Sequence, residues 1–145
     1  MVNKKEYKTY RRGQVVYVDL GWKPEGVQGG LRPCVVISNN ASNHKYAPQI
    51  TVCALTSKLK ENPVHVVINP LDVKGYHLRA KSDFLAEDMC TVSKKAVCGT
   101  IGYIPENSDV MRKIDMALAK QLNLIDVMKN YEQSGNMSSY ILKRF

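Results

Sequence analysis

The sequence predicts a mainly β fold: a small, strongly bent antiparallel sheet or barrel that carries a C-terminal amphipathic helix. Short runs rich in β-branched and aromatic residues fill the chain up to Tyr103, separated by Gly, Asn and Pro. After Pro105 the apolar residues switch to helical spacing. No internal repeat interrupts this order.

Residues 14–20, Gln-Val-Val-Tyr-Val-Asp-Leu, read as the first strand. A loop over 21–31 follows, then a strand over 33–39. Asn39, Asn40, Ser42, Asn43 and Pro48 mark a polar connection. Ile50 to Leu55 make a third strand ending at Thr56-Ser57, and Val64 to Ile68 a fourth. Residues 72–79 read as an irregular linker around Gly75, and 84–89 and 97–103 as two further short strands.

Val110, Met111, Ile114, Leu118, Leu122 and Ile125 then form one apolar stripe, predicting a single helix. Asn107 or Ser108 can cap its start, and Asp109 suits the positive end of the helix dipole. Residues 131–145 show no clear period, which leaves disorder or a short terminal helix open. The chain divides into a basic N-terminal extension (1–10), a central domain (11–127) and a C-terminal extension (128–145).

At 145 residues one domain is the simplest organisation, with length enough to bury a core. A hydrophobic share of 44% and a charged share of 23% suit a soluble globular protein. The net charge of +8 is high for this size, and Lys4, Lys5, Lys8, Arg11 and Arg12 cluster at the start. Such an excess attracts polyanions, so nucleic acid leads the partner classes, against a merely solvated basic surface.

Cys34, Cys53, Cys90 and Cys98 form no C-x-x-C pair, and His44, His65 and His77 have no ligand spacing. No metal or cofactor is therefore expected. The chain shows no membrane-length apolar segment and no secretory signal, which predicts a reduced, cytoplasmic setting. A G-x-S-x-G elbow and a P-loop are both missing.

The most informative stretch is Gly26-Val-Gln-Gly-Gly-Leu-Arg-Pro-Cys-Val-Val-Ile37. It sets Arg32 where a glycine-rich loop, read as mobile, meets a buried strand. Pro33 biases Arg32 towards an extended backbone. A guanidinium there suits phosphate, which it can grip with paired hydrogen bonds. Taken alone, the loop favours the plainer role of a strand-end cap. Thr56 and Ser57, followed by Lys58 and Lys60, could likewise donate to a phosphate or simply close a turn. Glu87 and Asp88 are adjacent, hence on opposite faces of a strand.

Over residues 12–125 the chain resembles the MazF/PemK/Kid toxins. Arg12-Gly-Gln-Val-Val-Tyr-Val-Asp-Leu20 and Gln28-Gly-Gly-Leu-Arg-Pro-Cys-Val-Val-Ile37 carry the resemblance. It continues through Ala54-Leu-Thr-Ser-Lys58, Pro63-Val-His-Val66, Asp83 to Val92, Ile101-Gly102 and the helix from Met111 to Leu124. The resemblance implies an SH3-like barrel with a C-terminal helix, forming a homodimer. It implies a metal-independent endoribonuclease cutting single-stranded RNA, chiefly mRNA, as the toxin of a type II toxin–antitoxin pair.

Carried over, Arg32 and Thr56 are the catalytic residues. Gln28, Gly29, Gly30, Ser57, Lys58, His65 and Glu87 are the RNA-binding ones. A cognate antitoxin would inhibit the toxin, and DNA would be met only through the antitoxin complex. Two departures stand out: Val27 precedes Gln28 where the family often has Glu, and Cys90 occupies the place of a usual arginine. Glu87 and His44 are the candidates for the general base. The competing functions are a non-catalytic SH3-like module binding nucleic acid or protein, and a gyrase-poisoning toxin of the same fold.

Overall fold

The computed structural model describes residues 4–76 and 78–133. Its strands are β1 (Gln14–Asp19), β2 (Leu31–Val36), β3 (Gln49–Thr56), β4 (His65–Ile68), β5 (Lys74–Gly75), β6 (Ser82–Ser93) and β7 (Val97–Tyr103). They form one antiparallel sheet in the order β4-β6-β3-β2-β1-β7-β5, curled into a half-barrel. Two helices follow, α1 (Asp109–Gln121) and α2 (Ile125–Gln133).

The uninterrupted apolar runs of β1, β2 and β3 arise because the sheet is buried on both faces. Register sorts them into two rows. Val15, Val35 and Cys53 align across three strands and join a core with Met111, Ile114 and Ala117 of α1. Val16, Cys34 and Ala54 align one residue over and join a second core with Tyr10, Val18, Val36, Ile50 and Val52. Helix α1 therefore covers one face, and the curl of the sheet closes the other.

Local chemistry sets the ends. The Ser108 hydroxyl accepts the Met111 N–H at 3.2 Å and caps α1, as one of the two expected residues. The predicted single helix is two. Asn123 takes a left-handed backbone (φ 57°), and Leu124 N–H bonds the Ala119 carbonyl at 2.8 Å. This closing motif ends α1 inside what reads as one apolar stripe.

The strands differ from expectation in three places. β2 begins at Leu31, because Arg32 pairs with Val18 and Pro33 with Tyr17. It ends at Val36, where Ile37 and Ser38 both bond the Thr51 carbonyl. β6 runs through Ser93, since its polar second half pairs with Gln49 to Cys53. The expected linker contains the two-residue β5, which pairs with β7. His77 and residues 134–145 lie outside the described residues. Among those described, no helix is long and apolar enough to cross a membrane.

Candidate active site

The ladder between β2 and β3 places the two residues singled out first. Its last pair at that end is Cys34 with Ala54. The β2–β3 pairing stops there: Arg32 pairs with Val18 of β1 and Thr56 with Asp83 of β6, so both residues lie two positions beyond the last β2–β3 pair, at the open end of that ladder. Arg32 is half-buried, and its Nε donates to the Gly29 carbonyl at 2.9 Å. No ion pair holds it among the described residues. Thr56 is buried, and its Oγ1 accepts the Lys58 N–H at 3.2 Å. Its own hydroxyl proton is left to donate.

The loop over 21–30 is held in shape. Gly30 N–H bonds the Gly21 carbonyl at 2.8 Å, and Leu20 N–H bonds the Gly30 carbonyl at 2.9 Å. Gly30 has φ +72°, a conformation that disfavours other residues. Gly29 serves close packing, for a Cβ there would sit 2.8 Å from the Gly21 carbonyl oxygen. The tip is tied as well: Gln28 N–H donates to Asp88 Oδ2 at 3.0 Å. The glycines thus shape a tied loop, where the sequence suggested a mobile one.

A bulge in β6 completes the site. Its register against β3 shifts between Cys53, opposite Met89, and Leu55, opposite Phe84. The extra residues re-aim side chains, as bulges beside functional sites do. Glu87 turns to His65, and Asp88 turns to Gln28.

Between them lies a cleft of about 200 Å³, walled by residues 26–28, Thr56, Lys58, Lys60, His65, Leu85, Glu87 and Asp88. A larger cavity of about 680 Å³ lies elsewhere, between Arg12, residues 39–41 and Asp115. There Arg12 is consumed by Asp115 at 2.8 Å and the Ile37 carbonyl at 2.8 Å. Size does not pick out the chemistry.

Within the cleft, Nε2 of His65 lies 2.6 Å from Glu87 Oε2. Its Nδ1 lies 3.1 Å from the Lys60 carbonyl and 3.3 Å from Asp83 Oδ2. Burial by itself disfavours the charged ring, yet the Glu87 and Lys60 hydrogen bonds and the two carboxylates prevail and leave the His65 pKa raised. Burial also raises Asp88, opposed by the Gln28 N–H. The Gln28 side-chain oxygen is buried and has no hydrogen-bond partner among the described residues.

Of the residues named from sequence, Thr56, Gln28, Lys58, His65 and Glu87 meet at this wall. Arg32, Gly29 and Gly30 are not among the residues that wall it, and Ser57 is exposed beside Thr56. His44 lies apart: its Nδ1 accepts the Tyr46 N–H, and its carbonyl accepts Lys94 Nζ. Cys90 is half-buried opposite Val52. Sequence reasoning passed over Asp83 as a site residue, although a carboxylate inside the run Asp-Phe-Leu-Ala signals a buried partner. The cleft is also less basic than the chain, since Asp83, Glu87 and Asp88 all face it or stand just behind.

A curled antiparallel sheet with a C-terminal helix and this cleft at one strand end defines a known class of small toxin fold. The MazF structure from Deinococcus radiodurans superposes with a TM-score of 0.65 at 22% identity, covering 81% of this chain and 99% of that one. The chain belongs to the PemK-like, MazF-like toxins of type II toxin–antitoxin systems, whose sequence pattern matches residues 11–122. It is 34% identical over 118 residues to Endoribonuclease EndoA of Bacillus subtilis, covering 80% of this chain and 97% of that protein. A mycobacterial endoribonuclease solved in complex with its cognate antitoxin matches at 28% identity and a TM-score of 0.65, covering 80% and 97%.

Proposed function

We propose that this toxin is an endoribonuclease that cuts single-stranded RNA, chiefly mRNA, without a metal ion. The observation that supports this reading is that Arg32 and Thr56 both lie two residues beyond the last β2–β3 pair, Cys34–Ala54, in a chain of this family. RNA brings its own nucleophile, the 2′-hydroxyl. Attack on the adjacent phosphorus forms the 2′-O–P bond and breaks the P–O5′ bond, leaving a 2′,3′-cyclic phosphate and a 5′-hydroxyl. Negative charge builds on the phosphoryl oxygens as this happens. Arg32 and the Thr56 hydroxyl supply preorganised donors for that charge. An arginine does not give up its proton near neutrality, so its role is electrostatic. The unpartnered Gln28 oxygen is suited to a donor from a bound nucleotide, since a buried acceptor without a partner costs about 1–3 kcal/mol.

The test is incubation of the protein with a long single-stranded RNA in EDTA. Discrete fragments with cyclic phosphate ends are expected from the wild type, and about 10²–10³-fold slower cleavage from Arg32→Ala. Intact RNA with the wild-type protein would favour the binding-module or gyrase-directed readings instead.

Three partner assignments accompany this reading. The toxin forms a twofold homodimer with RNA lying across both subunits, and sedimentation showing only a 16.3 kDa monomer would contradict it. A cognate antitoxin binds through a segment that competes with RNA beside Arg32 and residues 21–30. DNA is reached only through that antitoxin. A partner peptide that binds tightly and leaves cleavage unchanged would defeat the shared site.

A further inference from the structure

The imidazole of His65 is enclosed by hydrogen-bond acceptors on both sides. The Lys60 carbonyl and the Asp83 carboxylate face Nδ1, and the Glu87 carboxylate faces Nε2. A neutral imidazole carries one N–H and can satisfy one flank; an imidazolium satisfies both.

Asp83 is 1% exposed, and His65 is its only ion-pair partner among the described residues. Its Oδ2 also accepts the Lys60 N–H at 2.8 Å, which pins the carboxylate in place. A buried charge left unpaired is strongly destabilising. The charged side chains around the ring are Asp83, Glu87 and Asp88 from β6, with Lys58, Lys60 and Glu61 from the segment after β3.

Glu87 differs from Asp83 in position. Its side chain is 40% exposed and lies on the cleft wall with Thr56, whereas the ring behind it is 8% exposed. Asp83, His65 and Glu87 thus form an ordered line from the buried interior of the sheet to the cleft.

We propose that Asp83 is a positioning residue that keeps His65 doubly protonated, so that the ring fixes the Glu87 carboxylate in the cleft as the acceptor of the RNA 2′-hydroxyl proton. This rests on the ribonuclease reading above. In the step, the 2′-hydroxyl proton passes to Glu87 as the 2′-oxygen bonds to phosphorus. The departing 5′-oxygen takes its proton from water, and the hydroxide so formed removes the proton from Glu87.

His65 has a raised pKa, so the imidazolium is present below it and is lost as pH rises through it. Loss of the Nδ1 proton leaves a lone pair facing Asp83 and the Lys60 carbonyl, and the line comes apart.

Two measurements test this on the full-length chain. First, ¹⁵N NMR of the histidine ring nitrogens is followed against pH in wild type, Asp83→Asn and Glu87→Gln. Asparagine keeps an acceptor for the Lys60 N–H, and Glu87 is exposed enough to substitute without core damage. Both variants are expected to titrate His65 at lower pH than wild type. An unchanged titration in both would overturn the clamp.

Second, single-turnover cleavage is measured against pH. Glu87→Gln is expected to lose about 10²-fold or more with RNA binding retained, the scale of a lost general base. The alkaline fall of the rate should move to lower pH in Asp83→Asn, in step with the NMR titration. Wild-type cleavage by Glu87→Gln, or a uniform loss in Asp83→Asn with the fall unmoved, would overturn the proposal. If wild type cuts no RNA, the ribonuclease reading fails by itself, and the NMR result still decides the clamp.

Discussion

Asp88 reaches back 60 residues in sequence to accept the Gln28 backbone N–H at 3.0 Å. That single bond ties the tip of the glycine loop to the bulge of β6, and both sides of the cleft depend on it. Asp88→Ala should free the loop. The expected result is faster hydrogen exchange at the amides of residues 26–29, together with slower RNA cleavage. Asp88→Asn keeps an acceptor and should preserve loop protection. Because burial raises the Asp88 carboxyl, its ionised form costs the native state stability as pH rises through the interval between its ordinary and raised values. Asp88→Asn should therefore gain in melting temperature over wild type on going from acid to neutral pH, and a constant difference would contradict this.

The catalytic assignment predicts a sharp hierarchy. Arg32→Ala should lower cleavage about 10²–10³-fold, as loss of one preorganised donor does, with the circular dichroism spectrum unchanged. Arg32→Lys should rescue little, because an ammonium lacks the planar fork and lysine lacks the Nε–H that bonds the Gly29 carbonyl. Thr56→Ala should be severely impaired and Thr56→Ser much less so, since serine retains the hydroxyl. Equal rates for the serine and alanine variants would remove the hydroxyl from the mechanism.

Gly29→Ala tests whether loop shape matters. The added Cβ would meet the Gly21 carbonyl at 2.8 Å and the Lys23 side chain at 3.2 Å, pushing the two arms of the loop apart. Cleavage should fall while the melting temperature changes by only a few degrees, because the loop lies outside both cores. A variant with full activity would show that the packing of these arms does not govern the cleft.

Thiol chemistry should separate the four cysteines by depth. Burial pushes Cys34 up to about 12 and raises Cys53 further still, so neither forms a reactive thiolate in the folded state. Cys98 is exposed. A disulfide reagent at pH 8 should label Cys98 first and half-buried Cys90 more slowly. Cys34 and Cys53 should wait for denaturant. Rapid labelling of all four in native buffer would mean that the sheet opens readily.

How much of this was legible beforehand varies with the range of the interaction. The strand runs, the helical stripe of α1 and the Ser108 cap are local patterns, and they stand close to where periodicity puts them. Asn123 breaks that stripe through one left-handed residue, a signal present in the sequence but hidden by apolar spacing that continues across it. Arg32 and Thr56 also carried readable hints, being a guanidinium beside Pro33 and a hydroxyl at a strand end.

The rest is long-range. By itself the sequence determined which segments form strands and where the helical stripe begins, because β-branched runs and a period of 3.6 residues are written into neighbouring side chains. Only the tertiary structure decided where the polar groups meet. The β6 bulge turns Glu87 towards His65 and Asp88 towards Gln28, and the sheet carries Asp83 beneath the ring. Such meetings depend on register shifts between strands far apart in the chain, and a register shift leaves no periodic mark in either strand.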